Sequence, residues 1–189
     1  DLVSSRGLGD VYKRQVDISA TNDTTPTITG TAEANSTITL LNGDVEIGTA
    51  TANSEGDFSI SPSSALDDGN YSLEAIASDA AGNISPESSS ISITIDTTPP
   101  KAPTSLVDIS ATNDTTPTIT GTAEANSTIT LLNGDVEIGT ATTDSEGDFS
   151  VSPSAALADG VYSLTATATD SAGNISSVSS SISITIDTV

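Results

Sequence analysis

The strongest constraint on this chain is a direct internal repeat. Residues 16–51 read VDISATNDTTPTITGTAEANSTITLLNGDVEIGTAT and return unchanged at residues 107–142, an offset of 107 − 16 = 91. Of the 83 positions that can be compared at this offset, 70 are identical and 13 differ. Repeats of about 20–50 residues need their neighbours to bury a core, whereas a unit of about 90 residues can bury its own. The chain is therefore predicted to contain two whole domains in tandem.

The stretch DTTPPKAP, residues 96–103, separates the two copies and is rich in proline. The predicted organisation is a leader at 1–15, a first module at 16–98, a linker at 99–106 and a second module at 107–189. Asp187 and Thr188 repeat Asp96 and Thr97, so the chain stops where another linker begins. We expect further copies to follow in the parent protein.

The leader has no counterpart elsewhere in the chain. It carries three of the four basic residues, Arg6, Lys13 and Arg14. Residues 5–15, SRGLGDVYKRQ, resemble the in-frame translation of a transposase-end adapter used to prepare sequencing libraries; the alternative is a genuine basic linker or tag. We interpret the leader as non-native and predict that it is disordered and contributes nothing to folding.

The composition excludes several partners. The formal net charge is −22, so the surface is predicted to repel nucleic acid and anionic membranes. No apolar run is long enough to insert into a membrane. Cysteine is absent, so each module must be stabilised by its core alone. The acidic surface has two interpretations, which are solubility and cation binding.

Period-2 alternation of apolar and polar residues runs through each module, with turn residues about every 8–12 positions. This pattern is typical of an all-β sandwich. Seven strands are predicted in the first module. They lie at 16–19, 25–32, 36–41, 45–51, a short segment that contains Phe58 and Ile60, 71–78 and 90–95.

The sixth strand carries two further signals. Tyr71, Leu73, Ala75 and Ala77 are the same in both copies, whereas three of the residues between or after them become threonine in the second copy. The unchanged set is therefore predicted to face the core. Tyr71 follows a glycine-containing turn, which is tyrosine-corner spacing, with a buried ring and a hydroxyl that donates to the preceding loop. An ordinary edge tyrosine is the alternative.

Several motifs together resemble a known family. TPTITGTAEANSTITL, SEGDFS, ALDDGNYSLEAIASDAAGN and SISITIDTTPP are similar to the bacterial Ig-like repeats of large surface adhesins of the biofilm-associated and RTX type. The resemblance implies two tandem seven-stranded Ig-like β-sandwich modules that act as non-catalytic, monomeric spacers. It also implies type I secretion, a place on the bacterial cell surface, neighbouring modules as partners, and calcium ions that stiffen the joints.

The predicted calcium site lies at the joint. Ca²⁺ takes six to eight oxygen ligands, and in an Ig-type sandwich the end of one module meets the first strand and a late loop of the next. The predicted ligands are Asp96, Asp108, Asp170 and Asn174. The alternative is that Asp170 and Asn174 bond only their own turn. A lesser candidate is the opposite end of each module, with Asn22, Asp23 and Asp68.

Catalysis is not predicted. Histidine and cysteine are absent, so no Ser or Thr nucleophile has an evident activating base. The carboxylate pairs Asp67–Asp68 and Glu55–Asp57 lie in predicted short turns without a cleft. The alternative function is a carbohydrate- or protein-binding module of an extracellular protein. Each module has one Tyr and one Phe, both at predicted inward positions, which disfavours sugar stacking.

Overall fold

A computed structural model describes residues 18–189 of the chain. These residues form two compact units, of which the first ends at Thr97 and the second spans Thr98–Val189. Strands are the only regular elements in the described range. In the first unit they are β1 (Ile18–Thr21), β2 (Ile28–Thr31), β3 (Thr37–Asn42), β4 (Val45–Thr51), β5 (Asp57–Ile60), β6 (Gly69–Ser78) and β7 (Ile91–Ile95). In the second unit they are β8 (Ile109–Thr112), β9 (Ile119–Thr122), β10 (Thr128–Asn133), β11 (Val136–Thr142), β12 (Asp148–Val151), β13 (Gly160–Thr169) and β14 (Ile182–Ile186).

Each unit is a two-layer sandwich. In the first, one sheet has the strand order β1-β7-β6-β3-β4 and the other pairs β2 with β5; the second unit repeats this as β8-β14-β13-β10-β11 and β9-β12. The first and last strands of each unit are parallel, and all other neighbours are antiparallel. This is an Ig-like arrangement, so the predicted fold class of two tandem Ig-like sandwiches is confirmed.

The strand bounds differ from the predicted ones mainly at the start of the module. β1 lies at Ile18–Thr21 where 16–19 was expected, and residues 16 and 17 fall outside the described range. β2 covers four residues within the predicted 25–32. Thr25 accounts for part of the shortening, because its N–H donates to Asp23 Oδ1 at 2.9 Å in a turn and not to a neighbouring strand.

The core follows from the alternation along the strands. On β6, Leu73, Ala75 and Ala77 are buried, whereas Glu74 and Ile76 between them are half-buried. The predicted inward face of this strand is therefore confirmed. β7 buries its three isoleucines in the same way. The buried residues of the core cluster in the second unit are Ile119, Ile129, Leu131, Phe149, Val151, Leu164, Ala166, Ala168, Ile182, Ile184 and Ile186.

The smaller sheet packs an aromatic ring onto a glycine. Phe149 of β12 pairs with Gly121 of β9. A Cβ atom at Gly121 would lie 2.6 Å from the Cζ atom of the Phe149 ring, which is closer than atoms can approach. Phe149 is buried, so the ring has little room to move away. Gly30 and Phe58 form the same pair in the first unit. Glycine is thus needed at this position for packing.

The tyrosine corner is present in both units. Tyr71 Oη donates to the carbonyl oxygen of Asp67 at 2.9 Å, and Tyr162 Oη donates to that of Ala158 at 3.0 Å. The acceptor is a backbone atom, so the replacement of Asp67 by alanine in the second copy does not affect the bond. Both rings are half-buried and pack against the core, which is less burial than predicted.

Part of the predicted linker is integrated into the second unit. Thr104 pairs with Thr122 of β9 through two backbone hydrogen bonds of 2.8 and 2.9 Å, and their hydroxyl oxygens lie 3.0 Å apart. Pro103 is fully buried, and Leu106 packs against the core. Residues 103–106 therefore form a short segment along the edge of β9. The rest of 99–106 contains two prolines and the exposed Lys101.

Candidate functional sites at the module ends

The carboxylate of Asp68 holds the end of the last strand. The Thr97 N–H and hydroxyl both donate to Asp68 Oδ1, at 2.9 and 2.8 Å. Asp159 receives the same two bonds from Thr188 in the second unit, at 3.1 and 2.8 Å. Asp96, a predicted calcium ligand, directly precedes Thr97, and its N–H donates to the Thr21 carbonyl at 3.0 Å. Asp68 thus has a structural role at the point where the chain leaves the module.

Asp170 and Asn174, two predicted calcium ligands, lie together in the turn after β13. Asp170 Oδ1 accepts the N–H groups of Ala172 and Asn174, each at 2.9 Å. Asp170 Oδ2 accepts the side-chain amide of Asn174, also at 2.9 Å. Asp79 and Asn83 form the same turn in the first unit, at 2.7 Å between their side chains. These are the within-turn bonds that the sequence offered as the alternative to ion binding.

The hydrogen bonds in these turns lower the pKa of the aspartates. For Asp170, burial acts to raise the pKa, but the bonds from the side chain and N–H of Asn174 and from neighbouring backbone N–H groups outweigh it. The pKa of Asp79 is lowered chiefly by the side-chain bond from Asn83. Both carboxylates are therefore ionised at neutral pH and stabilise their turns in the charged form.

Asp108, the remaining predicted ligand of the second unit, lies elsewhere. Its Oδ1 accepts the Ser183 N–H at 2.9 Å, beside the start of β14. Ser183 of β14 pairs with Ser163 of β13. Asp170 directly follows the end of β13, seven residues after Ser163 (170 − 163 = 7). At about 3.3 Å per residue, Asp108 and Asp170 are separated along the strands by about 20 Å. The second unit therefore brings Asp170 and Asn174 together but not Asp108.

Within each unit, no three acidic side chains of the described chain lie close enough together to hold a metal ion. Asp23, from the lesser candidate site, accepts the N–H of Thr25 in its own turn. The four-residue calcium site draws on both units, so it stays a prediction. Of the carboxylates considered for catalysis, Asp67 and Asp68 are exposed before β6, Glu55 lies in an exposed turn, and Asp57 is the first residue of β5. Asn53 Oδ1 accepts the N–H groups of Glu55 and Asp57 at 2.9 and 2.8 Å.

Sequence reasoning missed two buried serines that hold the segment before the last strand. Ser176 and Ser179 accept the N–H groups of Ala168 and Ala166 through Oγ, each at 2.9 Å. Ser85 and Ser88 do the same in the first unit. The serine hydroxyls thus take the place of a strand neighbour. The S-x-x-S spacing in both copies was the only signal, and it is hidden in a serine-rich stretch.

The fold defines a class of small sandwich domains with the parallel first and last strands of an Ig-like module. A family model described as "Bacterial Ig-like domain" matches residues 15–97 and again residues 107–188. The chain therefore belongs to the bacterial Ig-like domain family, with two copies. The Ig-like and fibronectin-III-like fold families are generally non-catalytic.

Two of the solved structures that are similar to this chain share its fold at low sequence identity. The fibronectin(III)-like modules of Clostridium thermocellum CbhA match at 18% identity and a TM-score of 0.59, over 91% of this chain and 90% of theirs. A marsupial T cell receptor matches at 7% identity and a TM-score of 0.54, over 90% of this chain and 71% of that one. A biofilm-associated protein BSP domain has 24% identity and a TM-score of 0.39, over 93% of this chain and 30% of that one.

None of the curated proteins compared with this chain matches it. In residues 18–189 there is no helix that could cross a lipid bilayer.

Proposed function

We propose that this chain is part of the spacer region of a large secreted bacterial surface adhesin, where its modules serve cell adhesion or biofilm formation and catalyse nothing. The observation that carries the proposal is the tandem array itself. Two complete sandwiches share 70 of 83 aligned residues. A selective binding surface needs to be present only once, whereas length and spacing are obtained by adding the same unit again.

The pattern of differences supports this proposal. On β13, three of the residues that change between copies alternate with the buried ones, and they become threonine at 165, 167 and 169. The buried residues Leu164, Ala166 and Ala168 are unchanged. The copies thus keep the interior that a sandwich needs, while the half-buried outer face of this strand varies.

A display experiment tests the spacer role. One, two or three copies of residues 16–189 are placed between a membrane anchor and a short epitope tag on a bacterium with a thick capsule. We expect antibody access to the tag to increase with the number of copies. Cells without a capsule are the control and should show no such dependence. Saturable binding of the chain alone to a glycan array or to host cells would instead support the alternative of a ligand-binding module.

We also propose, from the sequence, that carboxylates flanking the linker bind structural calcium and stiffen the joint. Asp96 and Asp170 are the acidic members, and Asn174 supplies an amide. The high negative charge of the chain and the ionised state of Asp170 favour a cation. Asp108 is the least suited of the four predicted ligands because it lies about 20 Å from Asp170 along the strands.

Thermal unfolding in calcium and in chelator tests this part of the proposal. Extracellular calcium modules have dissociation constants of about 10⁻⁴–10⁻³ M, so about 10 mM CaCl₂ raises the midpoint if calcium binds only the folded chain. Asp96→Asn and Asp170→Asn should each reduce this increase. Asp44→Asn, in an exposed hairpin turn, is the control. Equal midpoints in calcium and in chelator would leave the modules as spacers without calcium.

A further inference from the structure

The outer face of the larger sheet in the second unit carries a regular array of threonines. They lie in two rows of three, which the strand register aligns as Thr142, Thr128, Thr169 and as Thr140, Thr130, Thr167. Residues between them along the strands, such as Ile129 and Ala168, are buried in the core. The threonines therefore point to the opposite side of the sheet, where three are exposed and three are half-buried. We call these six residues the threonine face.

The sheet that carries the threonine face is almost free of charge, although the chain as a whole has a formal net charge of −22. Its five strands contain one charged residue, Glu137, which lies on the edge strand β11. At the edge of a contact a carboxylate can stay hydrated. Two chains that repel each other elsewhere can therefore meet at this face without carrying a carboxylate into the centre of the contact.

The first unit differs at the centre of the equivalent face. Its central strand β6 has Glu74 where β13 has Thr165. Glu74 lies opposite Leu41 of β3, and Glu46 of β4 lies opposite the same leucine from the other side. An unpaired carboxylate that is buried in a contact loses its water and gains no partner, which is costly. The first unit is therefore unsuited to such a contact, although it has the same fold.

A face of hydroxyl groups is complementary to a second copy of itself. A threonine hydroxyl both donates and accepts a hydrogen bond, whereas a carboxylate only accepts. Two sheets pack face to face at about 10 Å with interdigitated side chains, a gap that side chains of this size can fill. A twofold axis gives both chains the same contacts. The partner that this face fits is therefore the same face of another chain.

The size of the face predicts that one such contact is weak. Five strands at about 4.8 Å spacing and about 17 Å length cover about 400 Å², so two faces bury about 800 Å². Stable interfaces bury about 1,200–2,000 Å². A single pair of modules therefore does not form a stable dimer. Chains with many copies gain from repetition, because each contact raises the effective concentration for the next one.

We propose that the threonine face of the second module is a homotypic contact surface, on which the second modules of two chains pack face to face. Glu74 excludes the first module from this contact. The inference goes beyond the proposed spacer role, because it gives the array a partner, namely further copies of the same chain. On cells the contact needs the proposed surface location, whereas in solution it is a property of the purified chain.

Clustering of beads that carry the full chain at high density tests the contact. We expect wild-type beads to cluster in 0.15 M NaCl, where charge repulsion is screened beyond about 8 Å. A chelator in the buffer removes calcium bridges between carboxylates. Thr165→Glu introduces the residue that the first unit already holds at this position, and it should reduce the clustered fraction at least about fivefold. Glu74→Thr, the converse change, should increase clustering.

Thr120→Glu is the matched control, because it adds the same charge at an exposed threonine of the smaller sheet. It should leave clustering unchanged, and thermal midpoints confirm that all three variants are folded. An equal loss of clustering in Thr120→Glu would mean that net charge alone decides the result, which would overturn the proposal. Wild-type beads that stay dispersed would overturn it too, and this is the result expected if the face binds another partner, such as a polysaccharide.

Amide spectra of the chain locate the contact. Between about 0.05 mM and about 1 mM chain, we expect concentration-dependent shifts at Thr165 and Thr167 and none at Glu74 and Ile76, which occupy the same positions in the first unit. Equal shifts in both units, or shifts confined to other surfaces, would refute the assignment. A failure of the contact is distinguishable from a failure of the spacer role, which the display experiment measures on cells.

Discussion

Replacing the buried serines that hold the segment before the last strand should destabilise both modules. Ser88 Oγ accepts the Ala75 N–H at 3.0 Å, and Ser179 Oγ accepts the Ala166 N–H at 2.9 Å. Each hydroxyl also donates to the next carbonyl, at 2.9 and 2.8 Å. The double variant Ser88→Ala/Ser179→Ala leaves one N–H without its partner in each core, and both N–H groups lie on buried residues.

The expected magnitude follows from the burial of these groups. A buried donor that loses its only partner costs about 1–3 kcal/mol, more than the net value of an ordinary hydrogen bond. For a domain of this size, about 1 kcal/mol shifts the thermal midpoint by about 4–8 °C. Changing both copies moves the whole transition, so the two modules need not be resolved from each other. We therefore expect the midpoint of the double variant to fall by at least about 4 °C.

The assay is thermal and urea unfolding of the full chain, followed by circular dichroism, with amide exchange at Ala75 and Ala166. The control is Ser90→Ala/Ser181→Ala, because both of these serines are exposed and lie two residues after Ser88 and Ser179. The reasoning is refuted if the two double variants have the same midpoint. It is also refuted if the two alanine N–H groups stay protected from exchange in the Ser88→Ala/Ser179→Ala variant.

Three further predictions concern the second module. Tyr162→Phe should keep the ring packing but lose the bond to the Ala158 carbonyl, which lowers the free energy of unfolding by about 1 kcal/mol in urea titrations. Gly121→Ala should be destabilising by about 1–3 kcal/mol in the same titrations, because its Cβ atom would overlap the Phe149 ring. The pKa of Asp170 is lowered in the folded chain, so its stabilisation is complete above the unfolded value of about 3.9 and is lost as the pH falls through the lower folded pKa. Urea midpoints from pH 2 to 7 should therefore decrease at the acid end, and the decrease should be smaller in Asp170→Asn.

Much of the fold could be predicted from the sequence because sandwich strands are local patterns. Alternation on residues 71–78 gave the buried face of β6, since a strand places successive side chains on opposite sides whatever surrounds it. The glycine-containing turn before Tyr71 gave the tyrosine corner. The repeat gave two modules, because a near-identical sequence of this length folds in the same way twice.

The positions of the candidate calcium ligands relative to one another could not be predicted from the local sequence pattern. Asp108, Asp170 and Asn174 are all polar residues near strand ends, and the sequence does not give their position along the neighbouring strands. Only the register of β14 against β8 and β13 places Asp108 at Ser183, while Asp170 lies further along. Register is a long-range property, and a shift of a few residues moves a carboxylate by more than a hydrogen-bond length.

The sequence by itself determined the number of modules, their all-β class and the faces of their central strands, because these depend on period and length alone. The tertiary structure decided which polar groups hydrogen-bond between segments that are distant in sequence. It placed Thr104 against Thr122, the buried serines Ser88 and Ser179 against alanines of β6 and β13, and Asp108 against Ser183. These contacts join residues that are up to 75 positions apart, and they exist only after folding brings separate strands to one place.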